Sequence, residues 1–328
     1  MSDSTEEANI KVPFVSVVVP VYNGGRTIRA CLEALSSQNY PRDRYEVIVV
    51  DNKSSDATVG IASEFDVQVL HQLGSQSSYA TRNCGIAHAR GEIVAFIDAD
   101  CVAHDSWLTR LVWLFQDCRV YAVGGQILDD QPTNEVEAFL SRISQFRDYW
   151  DADDQFLPVI LTGNAAVRKA TLDEIGGFAA NLYTGGDVDL AWRLQLRYGR
   201  CIRYARDAIV YHRHYATCRS MFRQYRRHGF GEIFLDAMYS SYPGYPRDKP
   251  YQVHRISRQI QALLTYFAAF VHHAAQYPFT HDAQTVRQPL FWIVAESANI
   301  LGKLQALWYT RFLSQNPTSR QWQEPLER

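Results

Sequence analysis

The sequence predicts an α/β fold, a Rossmann-like and mostly parallel sheet flanked by helices, with a helical extension at the C-terminal end. Three observations carry this. β-branched runs of the buried type alternate with helical patterns through the first half, the connections between them are short, and beyond about residue 235 only helical periodicity remains.

The elements follow in order. Phe14 to Pro20 (FVSVVVP) reads as a buried parallel strand. Ile28, Cys31, Leu32 and Leu35 give Thr27 to Gln38 helical spacing. Tyr45 to Val50 is a second strand, Ala57 to Phe65 a short helix, and Val67 to Leu70 a third strand. Tyr79 to Ala89 is a helix and Glu92 to Ile97 a fourth strand. Strand–helix–strand alternation with short links implies right-handed crossovers, which place ligands at the carboxyl ends of the strands. A helix over Trp107 to Phe115 leads to a strand over Val120 to Gly125. Residues 129–158 are irregular, with an amphipathic helix expected over Glu135 to Tyr149. A strand over Val159 to Thr162, helices over Lys169 to Ile175 and Asp187 to Tyr198, and a strand over Ala208 to His212 complete the set.

Three segments result: a disordered tail over 1–13, a catalytic domain over 14–235, and an amphipathic helical region over 236–328. The stretch 240–251 is a Pro-, Gly- and Tyr-rich loop. Val253, Ile256, Ile260, Leu263, Phe267 and Val271 make one helical face after it. Leu290, Val294, Leu301, Leu304 and Trp308 make another. Glu296, Asn299 and Lys303 interrupt the second, and Gln259, Gln261 and His272 the first, so neither reads as a membrane span. Contact with a membrane surface, packing on the catalytic domain and a homo-oligomer remain the alternatives for these faces. The last residues, from Gln315, read as frayed.

Of the 328 residues 47% are hydrophobic and 21% charged, and the net charge is −2, which supplies no field for nucleic acid. The six cysteines form no CxxC pair and read as reduced thiols of a cytosolic compartment. The N-terminal stretch is polar and acidic, without the apolar core of a secretory signal.

The chemistry concentrates at strand ends. Asp98 and Asp100 directly follow the fourth strand, where alternation puts both carboxylates on one side. Such a pair can hold a hard divalent cation, or merely cap the next helix. Asp51 ends the second strand, where it can bond a base or ribose, while Asp56 suits an N-cap. Pro20, Tyr22 and Asn23 close the first strand in a turn, and Tyr22 offers a face for stacking. No GxGxxG or GKS/T is present, so neither a dinucleotide fingerprint nor a P-loop is supported.

The ordered series VSVVVPVYN, VIVVD, ATRNCGIAHARGEIVAFIDAD, TGNAAVRK and GGDVDLAWRL resembles family 2 glycosyltransferases, which have the GT-A fold. The resemblance covers roughly residues 14–230. It implies inverting transfer of a sugar from a nucleotide-diphosphate donor, expected to be a UDP-sugar, with Mn²⁺ or Mg²⁺ as cofactor. By that resemblance Pro20, Tyr22, Asn23, Asp51, Arg82 and Asp98 bind the nucleotide, and Asn83, Thr162, Gly163, Asn164, Gly186 and Arg227 line the donor and acceptor pocket. Asp98 and Asp100 hold the metal, with His212 as a third ligand and His214 as the next choice, and Asp187 is the base. A base is needed because an acceptor hydroxyl must lose its proton as the C–O bond forms. Asp189 is left the part of a favourable charge at a helix N-terminus. The family pattern GEDxDL is met here by Gly185-Gly186-Asp187, with glycine in place of a glutamate that often contacts the acceptor.

Nine arginines and one acid lie between Arg197 and Arg227, where they could neutralise a diphosphate or meet anionic lipid. Gln224 to His228 partly resembles the QxxRW motif of processive members, with His for Trp, which favours transfer of one sugar per event. The acceptor expected is lipid-linked or saccharide, in cell-envelope polysaccharide or glycolipid synthesis, with the enzyme peripheral on the cytoplasmic face of the membrane. The competing readings are a polyprenyl-phosphate sugar synthase, a nucleotidyltransferase, and a non-catalytic protein that binds nucleotide sugars.

Overall fold

The computed structural model describes residues 12–314 except 75, 145, 147–155, 246–250, 281 and 282, and the side chains of 251–255, 278–280 and 312–314 also lie outside the description. The expected disordered tail and frayed C-terminus, and the core of the 240–251 loop, fall largely or wholly on residues that are not described.

The described residues form one eight-stranded sheet in the order β3-β2-β1-β4-β7-β6-β8-β5. The strands are β1 (Val15–Val21), β2 (Tyr45–Asp51), β3 (Gln68–His71), β4 (Ile93–Ile97), β5 (Cys101–Ala103), β6 (Ala122–Asp129), β7 (Asn164–Arg168) and β8 (Ile202–His212). The first four are parallel as expected, with Val21, Asp51 and His71 in register at their carboxyl ends. Beyond β4 the sheet is mixed: β7 runs antiparallel to both β4 and β6, while β6 and β8 pair in parallel.

Alternation along the strands sorts the core onto two faces. Val15, Val17, Val19 and Val21 of β1 face α1 (Ile28–Ser36), α2 (Thr58–Ala62) and α4 (Trp107–Trp113). Val18, with Ile48, Val50, Val94 and Phe96, faces α3 (Ser78–His88), α6 (Lys169–Ile175) and α7 (Gly186–Tyr198).

Several expectations are corrected. The run at 159–162 is not a strand. Val159 and Ile160 are buried, but the Val159 carbonyl accepts from the Tyr204 hydroxyl at 2.6 Å and a turn closes from the Asn164 N–H to the Leu161 carbonyl, so the strand begins at Asn164. The helix α5 (Glu135–Arg142) starts at the expected residue, capped by Asn134, but ends before Ile143. A 22-residue helix, α8 (Cys218–Tyr239), takes up the last part of the arginine-rich stretch, from Arg219 to Arg227, where no helix was expected.

The two C-terminal helices are α9 (Tyr251–Thr280) and α10 (Ala283–Ser314). α10 packs closely on α8: a Cβ on Gly302 would lie 1.9 Å from the Arg226 carbonyl oxygen, and one on Gly229 2.1 Å from that of Asn299. Two of the polar residues that break up the apolar pattern, Asn299 and Lys303, are buried. Lys303, 3% exposed, reaches Glu232 and Gln259, both at 2.9 Å, and Gln259 donates to Glu296 and Asn299. No helix among the described residues is long and apolar enough to cross a membrane.

Candidate active site

The carboxyl ends of β1, β2 and β4 lie on one edge of the sheet. Tyr22, just past β1, is 54% exposed, and its ring is free to stack. Asn23 turns the chain with φ of 50°; its N–H donates to Ser54 Oγ and its Oδ1 accepts from the Ser55 N–H, each at 2.8 Å. It therefore clips the loop after β1 to the loop after β2. Asp51 is buried and accepts the Ser54 N–H at 3.2 and 3.3 Å, with His71 Nδ1 at 3.5 Å. Pro20 sits half-buried opposite Val50 in the β1–β2 register.

The next group gathers after β4. Arg82 rises from α3, 5% exposed, and donates to Asp98 Oδ1 at 2.5 Å, with its guanidinium 6.0 Å over the Phe178 ring. Gly163 borders the other Asp98 oxygen, since a Cβ there would lie 3.4 Å from Oδ2, and Thr162 beside it is buried. Burial pushes the Asp100 carboxyl above its ordinary range, and His212 opposes the shift, its Nε2 lying 3.7 Å from Asp100 Oδ2. β5 and β8 set this distance by pairing Cys101 with His212. The His212 ring packs edge-on to Phe146 and His214, and its buried Nδ1 has no hydrogen-bond partner among the described residues. His214 differs, because its Nε2 is bonded to Asp129 Oδ1 at 2.8 Å in the interior.

Asp187 stands in the first turn of α7, and its one hydrogen bond within the described residues comes from the Val188 N–H at 3.0 Å. Burial pushes its carboxyl up, against the pull of Arg82, and Asp98 adds to the rise. A carboxyl raised by burial is suited to general-base work. Arg227, from α8, meets the Tyr215 hydroxyl at 3.5 Å.

Asp98, Asp100 and His212 suit a divalent cation by chemistry: two carboxylates and an imidazole, with the Asp100 carboxyl offered no side-chain hydrogen bond by a described residue except a long one from the Cys101 thiol at 3.9 Å. Among the described residues no three such groups already converge as a closed ligand set. An ion here would complete its shell with oxygens of a bound diphosphate or water.

Two expected pocket residues spend their side chains on bonds within the protein. Asn164 is fully buried; its Oδ1 accepts from Trp107 Nε1 at 2.8 Å and its Nδ2 donates to the carbonyls of Gln126 and Ala208, so it ties sheet to helix and does not line the pocket. Asn83 clasps the Phe178 backbone, donating to its carbonyl at 2.7 Å and accepting its N–H at 2.9 Å, which fixes the ring beneath Arg82. Tyr79 and Tyr215 were not found from the sequence. Burial raises both phenols, and each lies within electrostatic reach of a site aspartate, Asp187 for Tyr79 and Asp100 for Tyr215. The thiols of Cys31 and Cys101 are buried and pushed up by burial and by Asp100 and Asp98, which keeps them protonated and inert.

Residues 16–176 match the sequence family described as glycosyl transferase family 2. The glycosyltransferase AglE of Haloferax volcanii is 37% identical over 207 residues, 61% of this chain and 67% of that protein. The pre-mycofactocin glycosyltransferase of Mycobacterium tuberculosis is 33% identical over 214 residues, and this chain spans 43% of its length. Among solved structures, a mannosyltransferase from Pyrobaculum calidifontis in complex with GDP-Man and Mn²⁺ superposes with a TM-score of 0.62 at 21% identity, covering 90% of this chain and 88% of that one. That likeness is one of fold.

Proposed function

The chain belongs to glycosyl transferase family 2, and from that premise we propose that it transfers a sugar, with inversion, from a nucleotide-diphosphate donor to a hydroxyl of a lipid-linked or saccharide acceptor. The observation that carries this is the state of Asp187, a half-buried carboxylate raised by desolvation and without an ionic partner among the described residues, near the Arg82–Asp98 pair.

The residues divide the work by position. Tyr22 offers a stacking face for the base, and Asp51, held by the Ser54 N–H, offers carboxylate oxygens to its edge or to ribose. Asp98, Asp100 and His212 would hold Mn²⁺ or Mg²⁺, which when bound supplies positive charge to the departing diphosphate. Arg82 holds Asp98 in place and brings a second, fixed positive charge. Asp187 takes the acceptor proton as the acceptor oxygen attacks the anomeric carbon, and the C–O bond to the diphosphate breaks on the opposite face. One carboxylate suffices, because no covalent sugar intermediate is formed. The donor expected is a UDP-sugar; the fold neighbour that holds GDP-Man keeps a guanosine donor in view.

The outer face of α9 supports a lipid-linked acceptor. Ile260, Leu264, Phe267 and Val271 fall on one stripe, 45–65% exposed. Such a face suits the interface of a membrane, which would make the enzyme peripheral on the cytoplasmic side. Flotation with anionic liposomes at low salt checks this; a protein that stays unbound and runs as a dimer assigns the stripe to a second copy.

The function is tested by nucleotide release from a panel of UDP-, GDP- and dTDP-sugars with Mn²⁺ or Mg²⁺, against a chelator control. Metal-dependent release from one donor supports the reading. Tight nucleotide binding without release, in the presence of lipid-linked and saccharide acceptors, supports a non-catalytic binder.

A further inference from the structure

The double glycine before Asp187 shapes a contact. Gly185 adopts φ of +77°, a conformation that suits glycine, and Gly186 then opens α7. A Cβ on Gly186 would lie 2.7–2.8 Å from three carbons of the Tyr79 ring. The Tyr79 ring therefore occupies the space a side chain at 186 would take. It cannot easily yield: it is 7% exposed and stacks on Phe178 at 5.9 Å and 20°. Phe178 is in turn clasped by Asn83 and meets Phe96 edge-on. The ring is thus fixed from behind, and its hydroxyl end faces the Gly186 N–H, Asp187, Arg82 and Arg227.

The hydroxyl has a defined capacity. A phenol donates one proton and accepts through its oxygen. The ring carbon that bears the hydroxyl lies 2.8 Å from where a Gly186 Cβ would be, the Gly186 N–H acts on the oxygen, and among the described residues no acceptor for the proton is seen. The donor half is therefore available to a ligand oxygen lying beside Asp187. From this geometry we propose that Tyr79 is the acceptor-binding residue of the site, its hydroxyl donating to an oxygen of the sugar or polyol that Asp187 deprotonates. This deepens the transferase reading and rests on it. It assigns Gly186 a purpose: absence of a side chain there admits the phenol.

The test compares wild type, Tyr79→Phe, Gly186→Ala and the double variant, using the methyl and octyl glycosides of glucose, mannose and galactose as acceptor probes. Tyr79→Phe keeps the ring and its stacking and removes only the hydroxyl. The expected result is an acceptor KM raised about tenfold, the effect of one lost hydrogen bond, with the affinity for the free nucleotide within about twofold of wild type. Gly186→Ala displaces the ring and is expected to raise the same KM, and the double variant to be no worse than the worse single one, because both act on one contact. An unchanged acceptor KM in Tyr79→Phe, or a nucleotide affinity that falls equally, overturns the assignment. So does a wild type that turns over its donor yet transfers to none of the glycosides. A wild type that releases nucleotide from no donor overturns the transferase reading instead, and the assignment with it.

Discussion

Asp187 and Asp189 lie two residues apart in the first turn of one helix, yet their surroundings are opposite. Asp189, 1% exposed, accepts Arg193 Nε at 2.9 Å and the Tyr239 hydroxyl at 2.7 Å, and Arg193 goes on to the carbonyls of Ile175 and Gly177. Asp187 has, among the described residues, one backbone N–H and no cation bonded to it. The first is structural, holding α7 to the turn after α6 and to the end of α8. The second is a carboxylate kept uncomfortable by its site.

Replacing each by asparagine should therefore act in opposite directions on stability. Asp189→Asn leaves Arg193 buried without its counterion and is expected to cost about 3–5 kcal/mol. Asp187→Asn should leave stability equal or higher at pH 7. The sign follows from the raised carboxyl: the folded state holds the proton more tightly than the unfolded chain, so stability is lost as pH rises above the ordinary value of 3.8. Denaturant titrations of both variants at pH 7, and of Asp187→Asn from pH 7 down to 4, check this. The gap to wild type should close towards the acid end.

Activity should carry the same titration. Ionised Asp187 is the base, so transfer falls on acidification, with its half-point above 3.8. A pH–rate profile at saturating donor and metal reads it directly. An acid limb centred at or below the ordinary carboxylate value would remove Asp187 from the role.

The metal ligands should separate from their neighbour. Asp100→Ala and His212→Ala are each expected to weaken Mn²⁺ dependence by about 10- to 100-fold, read as the Mn²⁺ concentration that half-activates nucleotide release. His214→Gln, which keeps a hydrogen-bonding group opposite Asp129, should shift that concentration less than either.

The helix crossing makes a prediction about the C-terminal region. Gly302→Leu cannot be fitted against the Arg226 carbonyl without parting α10 from α8. A loss of about 1–3 kcal/mol is expected, with earlier proteolysis within α9 and α10 than in wild type. Equal protease resistance would contradict the packing.

The sequence made the parallel half of the fold legible because β1, β2 and β4 are runs of Val and Ile buried on both faces. β7 is written NAAVR, and alanines carry no strand signal; its identity depends on β4 and β6 closing on it from both sides. α8 was hidden because its arginines and aromatics read as a charged run, while the glycine at 229 has meaning only opposite Asn299 of α10. In the candidate site, Asp51, Asp98 and Asp100 stand out in the sequence by their position after strands, and Asp187 only by the family resemblance. Asn83 and Asn164 sit in the same motifs, but Asn83 bonds the Phe178 backbone and Asn164 bonds the Trp107 indole and two carbonyls. The Gly185-Gly186 pair was visible as a departure, and only three-dimensional packing shows that Tyr79 fills the space.

The most direct test of the central claim is to measure, on one donor with Mn²⁺, both nucleotide affinity and sugar transfer for wild type and Asp187→Asn. The account predicts nucleotide affinity within about twofold and transfer reduced by about 10²–10⁴-fold, the size of a lost general base. Transfer undiminished in Asp187→Asn would contradict it.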